Sequence, residues 1–142
     1  MKFRLLCSIL TLLFVHSFVE GAEWKYFTRT DFGEHFYNAE DLTHPAEDIV
    51  QVWVKLVYSK QGVEAAKIQK YDKQYKAIDH SLISYEIHCK LKRFRLLEKI
   101  DYSKKRIINK RDNRDKAEWS SIPLKTAVYK LSQEICFERT TE

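Results

Sequence analysis

Two cysteines, Cys89 and Cys136, are the only ones outside an N-terminal export leader, and they constrain the fold more than any other feature of the chain. In an oxidising compartment, two cysteines have one intramolecular pairing available. Cys89 lies in a strand-like run, and Cys136 lies near the end of a short helix-like run. A bond between them would attach a C-terminal helix to a sheet. The alternative is a pair of buried, unpaired thiols.

The N-terminal 21 residues predict a secretory signal peptide. Lys2 and Arg4 give this segment a charged start, a mostly apolar stretch follows, and the small residues Gly21 and Ala22 end it. Cleavage is expected after one of those two small residues, which leaves residues 22–142 as a single domain. A membrane anchor is the alternative, but a spanning helix needs about 20 apolar residues and this stretch is shorter.

The composition and the motifs of the chain give no indication of catalysis. The formal net charge of +5 favours anionic partners without requiring nucleic acid, which we do not expect as a partner. The sequence contains no His-Glu-x-x-His spacing, no glycine-rich phosphate loop and no Gly-x-Ser-x-Gly elbow. We therefore expect no catalytic residue, no metal site and no cofactor. The histidines outside the leader are expected to be surface or strand residues that bind water.

The first third of the domain predicts three strands. Trp24–Asp31 and His35–Asn38 are short runs rich in aromatic residues, which favour strands. Ile49–Tyr58 is the strongest signal, because every second residue from Val50 onward is apolar or aromatic and shares one face. A polar connection that contains Pro45 is expected between the second and third strands.

Residues 62–80 change from the period of a strand to that of a helix. Ile68, Tyr71, Tyr75 and Ile78 recur at spacings of three and four, which is the stripe of an amphipathic helix. We expect a helical insertion between strands three and four that packs on the domain through these four residues. A helix that lies on a membrane surface is the alternative.

Residues 82–102 carry apolar side chains at odd positions in the first half and at even positions in the second half. A strand cannot exchange its buried face without an extra residue, so a bulge or corner is expected near Lys92–Arg93. The chain should then turn at Tyr102–Lys105 and return as a final strand in Arg106–Asn109. The last element should be a helix that begins near Pro123, since proline suits a first helical turn.

The apolar stripe of that last helix spans about three turns and is formed by Leu124, Ala127, Val128, Leu131 and Ile135. Cys136 flanks the stripe and is therefore within reach of the surface that the helix covers.

Four short motifs occur in a distinctive order along the chain. They are Val-Gln-Val-Trp-Val-Lys at 50–55, Ile-His-Cys at 87–89, Lys-Arg-Phe-Arg at 92–95, and Trp-Ser-Ser-Ile-Pro at 119–123 ahead of Cys136. Together they resemble the bacterial surface-adhesin protein E-like family. The resemblance covers nearly all of residues 22–142.

The resemblance implies an α+β fold: a bent antiparallel sheet of about six strands, with the C-terminal helix tethered to its concave face by a Cys89–Cys136 disulfide. It also implies export to the periplasm or cell surface, no cofactor, no known catalysis, and a relationship to an adhesin that engages host matrix proteins. The chain departs from the family pattern in three ways. It lacks a lipobox, it lacks a glycine at the Lys104–Lys105 turn, and it adds the helical insertion.

Four basic residues, Lys90, Lys92, Arg106 and Lys110, form a possible anion-binding face. On a strand, Lys90 and Lys92 would share the solvent face and could bind a sulfated glycan or a lipopolysaccharide phosphate. The alternative is a solvated face that discourages pairing between sheet edges.

These observations together predict an exported, non-catalytic binding or adhesion module at the cell envelope. Its partner would be a protein or a polyanionic ligand, bound through a strand edge or a basic face. Two alternatives stay open at this point: a periplasmic hydrolase without a recognisable motif, and a polyanion-binding envelope protein. Beyond the leader, no stretch is long and apolar enough to cross a membrane.

Overall fold

The computed structural model describes residues 22–70 and 73–137. The predicted leader and Tyr71 of the predicted helical stripe therefore lie outside the described residues.

One antiparallel sheet organises the domain, as predicted. Six strands form its main path in the order β1-β2-β4-β5-β6-β7, while short β3 pairs with β4 and short β8 pairs with β6. The strands are β1 Trp24–Thr30, β2 Gly33–Asn38, β3 Thr43–Ala46, β4 Ile49–Tyr58, β5 His80–His88, β6 Arg93–Ser103, β7 Arg106–Asp112 and β8 Ser120–Ser121. The predicted polar connection that contains Pro45 thus includes the short strand β3, in which Pro45 itself lies.

The central strand β4 shows why the sheet has one buried face. Val50, Val52 and Val54 are almost completely buried, while the residues between them are half-buried. Directly opposite residues of paired strands share a face, so Ile83 and Ile87 of β5 join these valines. We call this the inner face of the sheet and the opposite one the outer face.

Helix α2, Ala127–Phe137, covers one half of the inner face. Thr126 caps it, because its Oγ1 accepts a hydrogen bond from the backbone N–H of Tyr129 at 3.2 Å. Leu131 and Ile135 are buried against the sheet. The helix was predicted correctly, but it begins at Ala127, four residues after Pro123, so the proline lies outside its first turn.

The predicted disulfide is present and joins β5 to α2. Cys89 directly follows β5, Cys136 lies in the last turn of α2, and their Cα atoms are 5.6 Å apart. The tether of the C-terminal helix to one face of the sheet is confirmed.

The insertion between β4 and β5 is confirmed as helical but not as one continuous helix. Helix α1 spans Lys60–Lys70, and a separate 3₁₀ helix spans Lys73–Ala77. Ile68, predicted to pack on the domain, is 66% exposed, whereas Tyr75 and Ile78 are buried. The prediction that Ile68 packs on the domain was therefore wrong. Ile68 lies in an α-helix and Tyr75 in a 3₁₀ helix, so the two residues do not share the face of one continuous helix.

Gly62 explains how α1 comes so close to the turn between β1 and β2. A Cβ atom at this position would lie 2.0 Å from the carbonyl oxygen of Phe32, so only glycine allows this approach. Its backbone N–H is bonded to Ser59 Oγ at 3.0 Å, which caps the start of the helix.

The predicted bulge or corner near Lys92–Arg93 is wrong, because the chain reverses completely at this point. Residues 89–92 form a turn, and Lys92 has a φ of 50°. The bulge instead lies at Leu97, where the register of β6 against β5 shifts. Ile100 consequently faces outward opposite Leu82, and Asp101 faces inward opposite Ser81.

Candidate binding groove beside the disulfide

The turn between β5 and β6 is fixed by three connections to the rest of the chain. The disulfide ties Cys89 to α2, and the backbone N–H of Cys89 also donates to the carbonyl of Asp48 at 2.8 Å. The N–H of Ile122 donates to the carbonyl of Lys92 at 3.1 Å. The turn therefore forms a stable wall, and the disulfide lies at its base.

A groove with a volume of about 420 Å³ lies between this turn and α2. This volume falls within the range of about 300–1,000 Å³ that is common for ligand sites. Its floor and walls are mostly apolar and include the disulfide, while Lys92 and Gln133 contribute polar groups. Its lining includes Ile87, Lys92, Ile122, Leu124, Tyr129 and Phe137.

Exposed apolar side chains surround the groove. Leu124 is 73% exposed and Phe137 is 79% exposed, and both line it. Leu91, at the tip of the adjacent turn, is 60% exposed. Single exposed apolar residues are ordinary, but several around one concave site indicate a surface that binds apolar groups.

The four predicted basic residues do not lie together. Lys90 and Lys92 were expected on the solvent face of a strand. They are exposed, but they lie in the turn beside the groove. Arg106 and Lys110 lie on β7, and Arg106 pairs with Ser103 at the far end of β6. An 11-residue strand is about 36 Å long, so Arg106 is distant from the turn.

Lys110 already has a structural partner. Its Nζ lies 3.0 Å from Oε1 of Glu98, and Arg114 lies 2.7 Å from the other oxygen of this buried carboxylate. Of the predicted residues, Lys90 and Lys92 are the pair that the structure places beside a concave apolar surface.

The outer side of the same turn is covered. Trp119 lies over the guanidinium of Arg95 at 4.7 Å and against the ring of His88 at 6.0 Å. Arg95 is also paired with Glu86 at 2.6 Å. His88, expected to face solvent, is therefore half-buried beneath Trp119, and its Nδ1 accepts a hydrogen bond from the N–H of Leu91 at 3.3 Å.

The remaining histidines are spread over the fold. His35 is buried on β2, bonded to Thr30 Oγ1 at 3.0 Å, and burial lowers its pKa. His44 is exposed on β3, and His80 stacks on Tyr102 with 4.6 Å between ring centroids. Among the described residues, no three His, Cys, Asp or Glu side chains are grouped as metal ligands would be.

Sequence reasoning missed the apolar residues of the groove as a site. Leu124 belongs to the stripe predicted for the C-terminal helix, and that helix was expected to bury it. The capping residue Thr126 is the signal that could have excluded Leu124 from the helix, because a cap at position 126 places Leu124 before the first helical residue.

These features define a disulfide-stabilised α+β domain with an open apolar groove beside a basic turn. The sequence matches the surface-adhesin protein E family over residues 24–137. The chain belongs to that family, which confirms the resemblance and makes it an adhesin-like surface protein. No curated protein and no solved structure gives a significant match. Within residues 22–70 and 73–137, no helix has the length and apolar character needed to span a bilayer.

Proposed function

We propose that this chain is an exported, non-catalytic binding module that attaches the cell envelope to a host matrix protein through the groove. The observation that carries the proposal is the groove itself, with exposed Leu124 and Phe137 on its rim and Lys90 and Lys92 beside it. The predicted leader and the disulfide support export, because disulfides persist in oxidising compartments.

The chemistry of the groove indicates the kind of partner segment. Its apolar wall would bury apolar side chains of the partner, which supplies most of the affinity at a protein interface. The two lysines would attract acidic residues that flank those side chains and would increase the rate of association more than the final affinity. The expected partner is therefore a protein segment that combines apolar and acidic residues.

The test uses the whole protein, expressed with its leader on a bacterium that does not otherwise adhere. Intact-mass measurement should show that the processed chain begins at Ala22 or Glu23. The processed domain should then bind a surface coated with solubilised host extracellular matrix. Retention of Met1 would contradict export by cleavage, and absence of matrix binding by correctly processed protein would contradict the adhesion role.

Matched variants localise the binding. Leu124→Asp should weaken matrix binding about tenfold or more, because it replaces an apolar contact with a charge that the partner would have to desolvate. Ile68→Asp is its control, because Ile68 is similarly exposed at 66% but lies on α1, away from the groove. Lys90→Glu should slow association, whereas Lys76→Glu on the 3₁₀ helix should not. Equal effects of the paired variants would contradict the groove as the binding site.

Polyanion binding is a second candidate function, favoured by the exposed basic residues Lys90 and Lys92 in the turn and Arg93 at the start of β6. Binding to a polyanion releases the counterions of the polyanion. Added salt opposes this release, so the binding weakens steeply as the salt concentration rises. The double variant Lys90→Gln/Lys92→Gln should elute from heparin at lower salt than the parent. The pair Arg106→Gln/Lys110→Gln tests the other predicted residues, and elution of both variants at the parent's salt would exclude the four residues as a heparin site.

A further inference from the structure

A second cavity lies on the other half of the inner face, beneath α1, and is separate from the groove. Its volume is about 200 Å³, and its apolar walls include Phe32, Leu56 and Ala66. Four side chains with polar atoms also line it: Tyr58 of β4, Gln69 of α1, Tyr75 of the 3₁₀ helix and Lys99 of β6. Nothing in the adhesin-like role uses this cavity.

A hydrogen-bonded carboxylate lies directly behind the cavity. Asp101 is completely buried, and it accepts hydrogen bonds from Ser81 Oγ at 2.5 Å, Tyr75 OH at 2.8 Å and Asn109 Nδ2 at 3.3 Å. Burial alone would raise the pKa of Asp101, but these hydrogen bonds and the charge of Lys99 outweigh it and lower the pKa. The carboxylate is therefore charged and has three donors of its own.

The direction of one hydrogen bond follows from the proton count. The Ser81 hydroxyl has a single proton, which it donates to Asp101. The 2.9 Å bond between Tyr58 and Ser81 must therefore be donated by Tyr58. As a result, the Tyr58 hydroxyl has no second proton for the cavity, and Lys99 is the cationic donor at its wall.

The ammonium of Lys99 is only loosely held by the protein. Its Nζ lies 3.5 Å from Asp101 Oδ1 and 3.5 Å from the Tyr58 hydroxyl. Charge-assisted hydrogen bonds are typically about 2.7–2.9 Å long. An ammonium has three donors, so Lys99, which lines the cavity and has a side chain that is 28% exposed, retains donor capacity for a ligand there.

We propose that this cavity binds a small organic carboxylate, with its carboxylate group on Lys99 and its apolar body against Phe32, Leu56 and Ala66. An apolar cavity of about 150 Å³ holds a benzene ring, so 200 Å³ accommodates a ligand of the size of benzoate. The amide group of Gln69 supplies a further hydrogen bond at the cavity mouth.

The test is a titration of the domain with benzoate, followed by chemical-shift changes of the backbone amides. Benzamide, which has the same shape without the charge, is the control ligand. Benzoate should bind with a millimolar dissociation constant, shift amides of α1 and β6, and bind about tenfold more tightly than benzamide.

Three variants make the result specific to the site. Lys99→Met should weaken benzoate binding about tenfold, while Lys55→Met on the outer face should leave it unchanged. Ala66→Leu fills the cavity without removing a charge, so it should abolish binding even if Lys99→Met fails to fold. Leu124→Asp, the groove variant, should bind benzoate normally, which separates this proposal from the adhesion role.

Either of two outcomes would overturn the proposal. The first is an absence of shift changes with benzoate at about 10 mM, well above the expected dissociation constant. The second is binding that persists in the folded Ala66→Leu variant or shifts amides elsewhere on the domain.

Discussion

Removal of the disulfide is the perturbation whose cost can be worked most directly from this fold. The change is the double substitution Cys89→Ala/Cys136→Ala, which removes the bond without leaving a reactive thiol. Both cysteines are only half-buried, so the loss of their side chains changes apolar burial little. The measured effect should therefore come mainly from the loss of the cross-link.

The magnitude follows from the length of the closed loop. The two cysteines are 47 positions apart, and the chain-entropy relation gives about 4 kcal/mol at 25 °C for a loop of this size. Helix α2 should still dock, because Leu131 and Ile135 are buried and each contributes about 1.5–3 kcal/mol by burial. A domain of ordinary stability, about 5–15 kcal/mol, should thus remain folded but become much less stable.

The assay is urea unfolding at pH 7, followed by tryptophan fluorescence. The parent protein under a phosphine reductant is the matched control, and its free energy of unfolding should fall by the same amount as that of the double variant. The m-value should rise in both, because an unfolded chain without the cross-link exposes more surface. A loss below about 1 kcal/mol in both samples would refute the reasoning that the bond acts by constraining the unfolded chain.

Three further predictions concern the polar and strained positions. Burial lowers the pKa of His35, so stability should decrease as the pH falls below about 6.5, by at most about 1.4 kcal/mol per pH unit, and His35→Gln should flatten this decrease in urea titrations at pH 7, 6 and 5. The pKa of Asp101 is lowered overall, because the opposing effect of burial is outweighed by its hydrogen bonds, of which that from Ser81 is the strongest. Stability from Asp101 should therefore be present above about pH 4 and be lost below it, and at pH 7 Asp101→Asn should cost about 3 kcal/mol in urea unfolding, whereas a cost below about 1 kcal/mol would contradict this. Lys104 and Lys105 have φ values of 48° and 66°, so Asn-Gly at these positions should raise the free energy of unfolding by about 1 kcal/mol, and a lower melting temperature would contradict this.

The elements that the sequence predicts well are those in which one physical signal dominates. Strand β4 was predicted with its observed bounds, because strict alternation over ten residues has no helical interpretation. Helix α2 was predicted because its apolar stripe repeats over three turns, and Leu131 and Ile135 are buried as that stripe requires.

The β5–β6 turn was not predictable from local chemistry. Residues 89–92 contain neither glycine nor proline, and Lys92 adopts a left-handed backbone that lysine seldom takes. Tertiary contacts, the disulfide and the Ile122–Lys92 hydrogen bond, hold the turn in place. The groove depends on this turn, so the groove could not be predicted either, although Cys89 and Lys92 had both been singled out.

The bulge at Leu97 was not predicted from the sequence either, and it has a larger consequence for the fold. The exchange of apolar positions in residues 82–102 was recognised, and the reversal of the chain at residues 89–92 causes it. The bulge at Leu97 then turns Ile100 outward, which the apolar pattern of the sequence does not show. Without the bulge, Asp101 would face outward with Ile100 inward. With it, a charged residue enters the interior, where only Ser81, Tyr75 and their neighbours make that position tolerable.

The lengths of the elements explain why the inner face needs two different kinds of cover. Strand β4 has ten residues and is about 33 Å long, whereas α2 has eleven residues and is only about 16 Å long. Helix α2 therefore covers the half around Val50–Val54, and the insertion must cover the half around Leu56. The first half is apolar and is secured by the disulfide, while the second is polar and is secured by the hydrogen bonds of Asp101. The groove lies beside the disulfide that attaches α2, and the Lys99 cavity lies beside the hydrogen bonds of Asp101 that hold the insertion. The two concave sites are therefore in separate halves of one sheet.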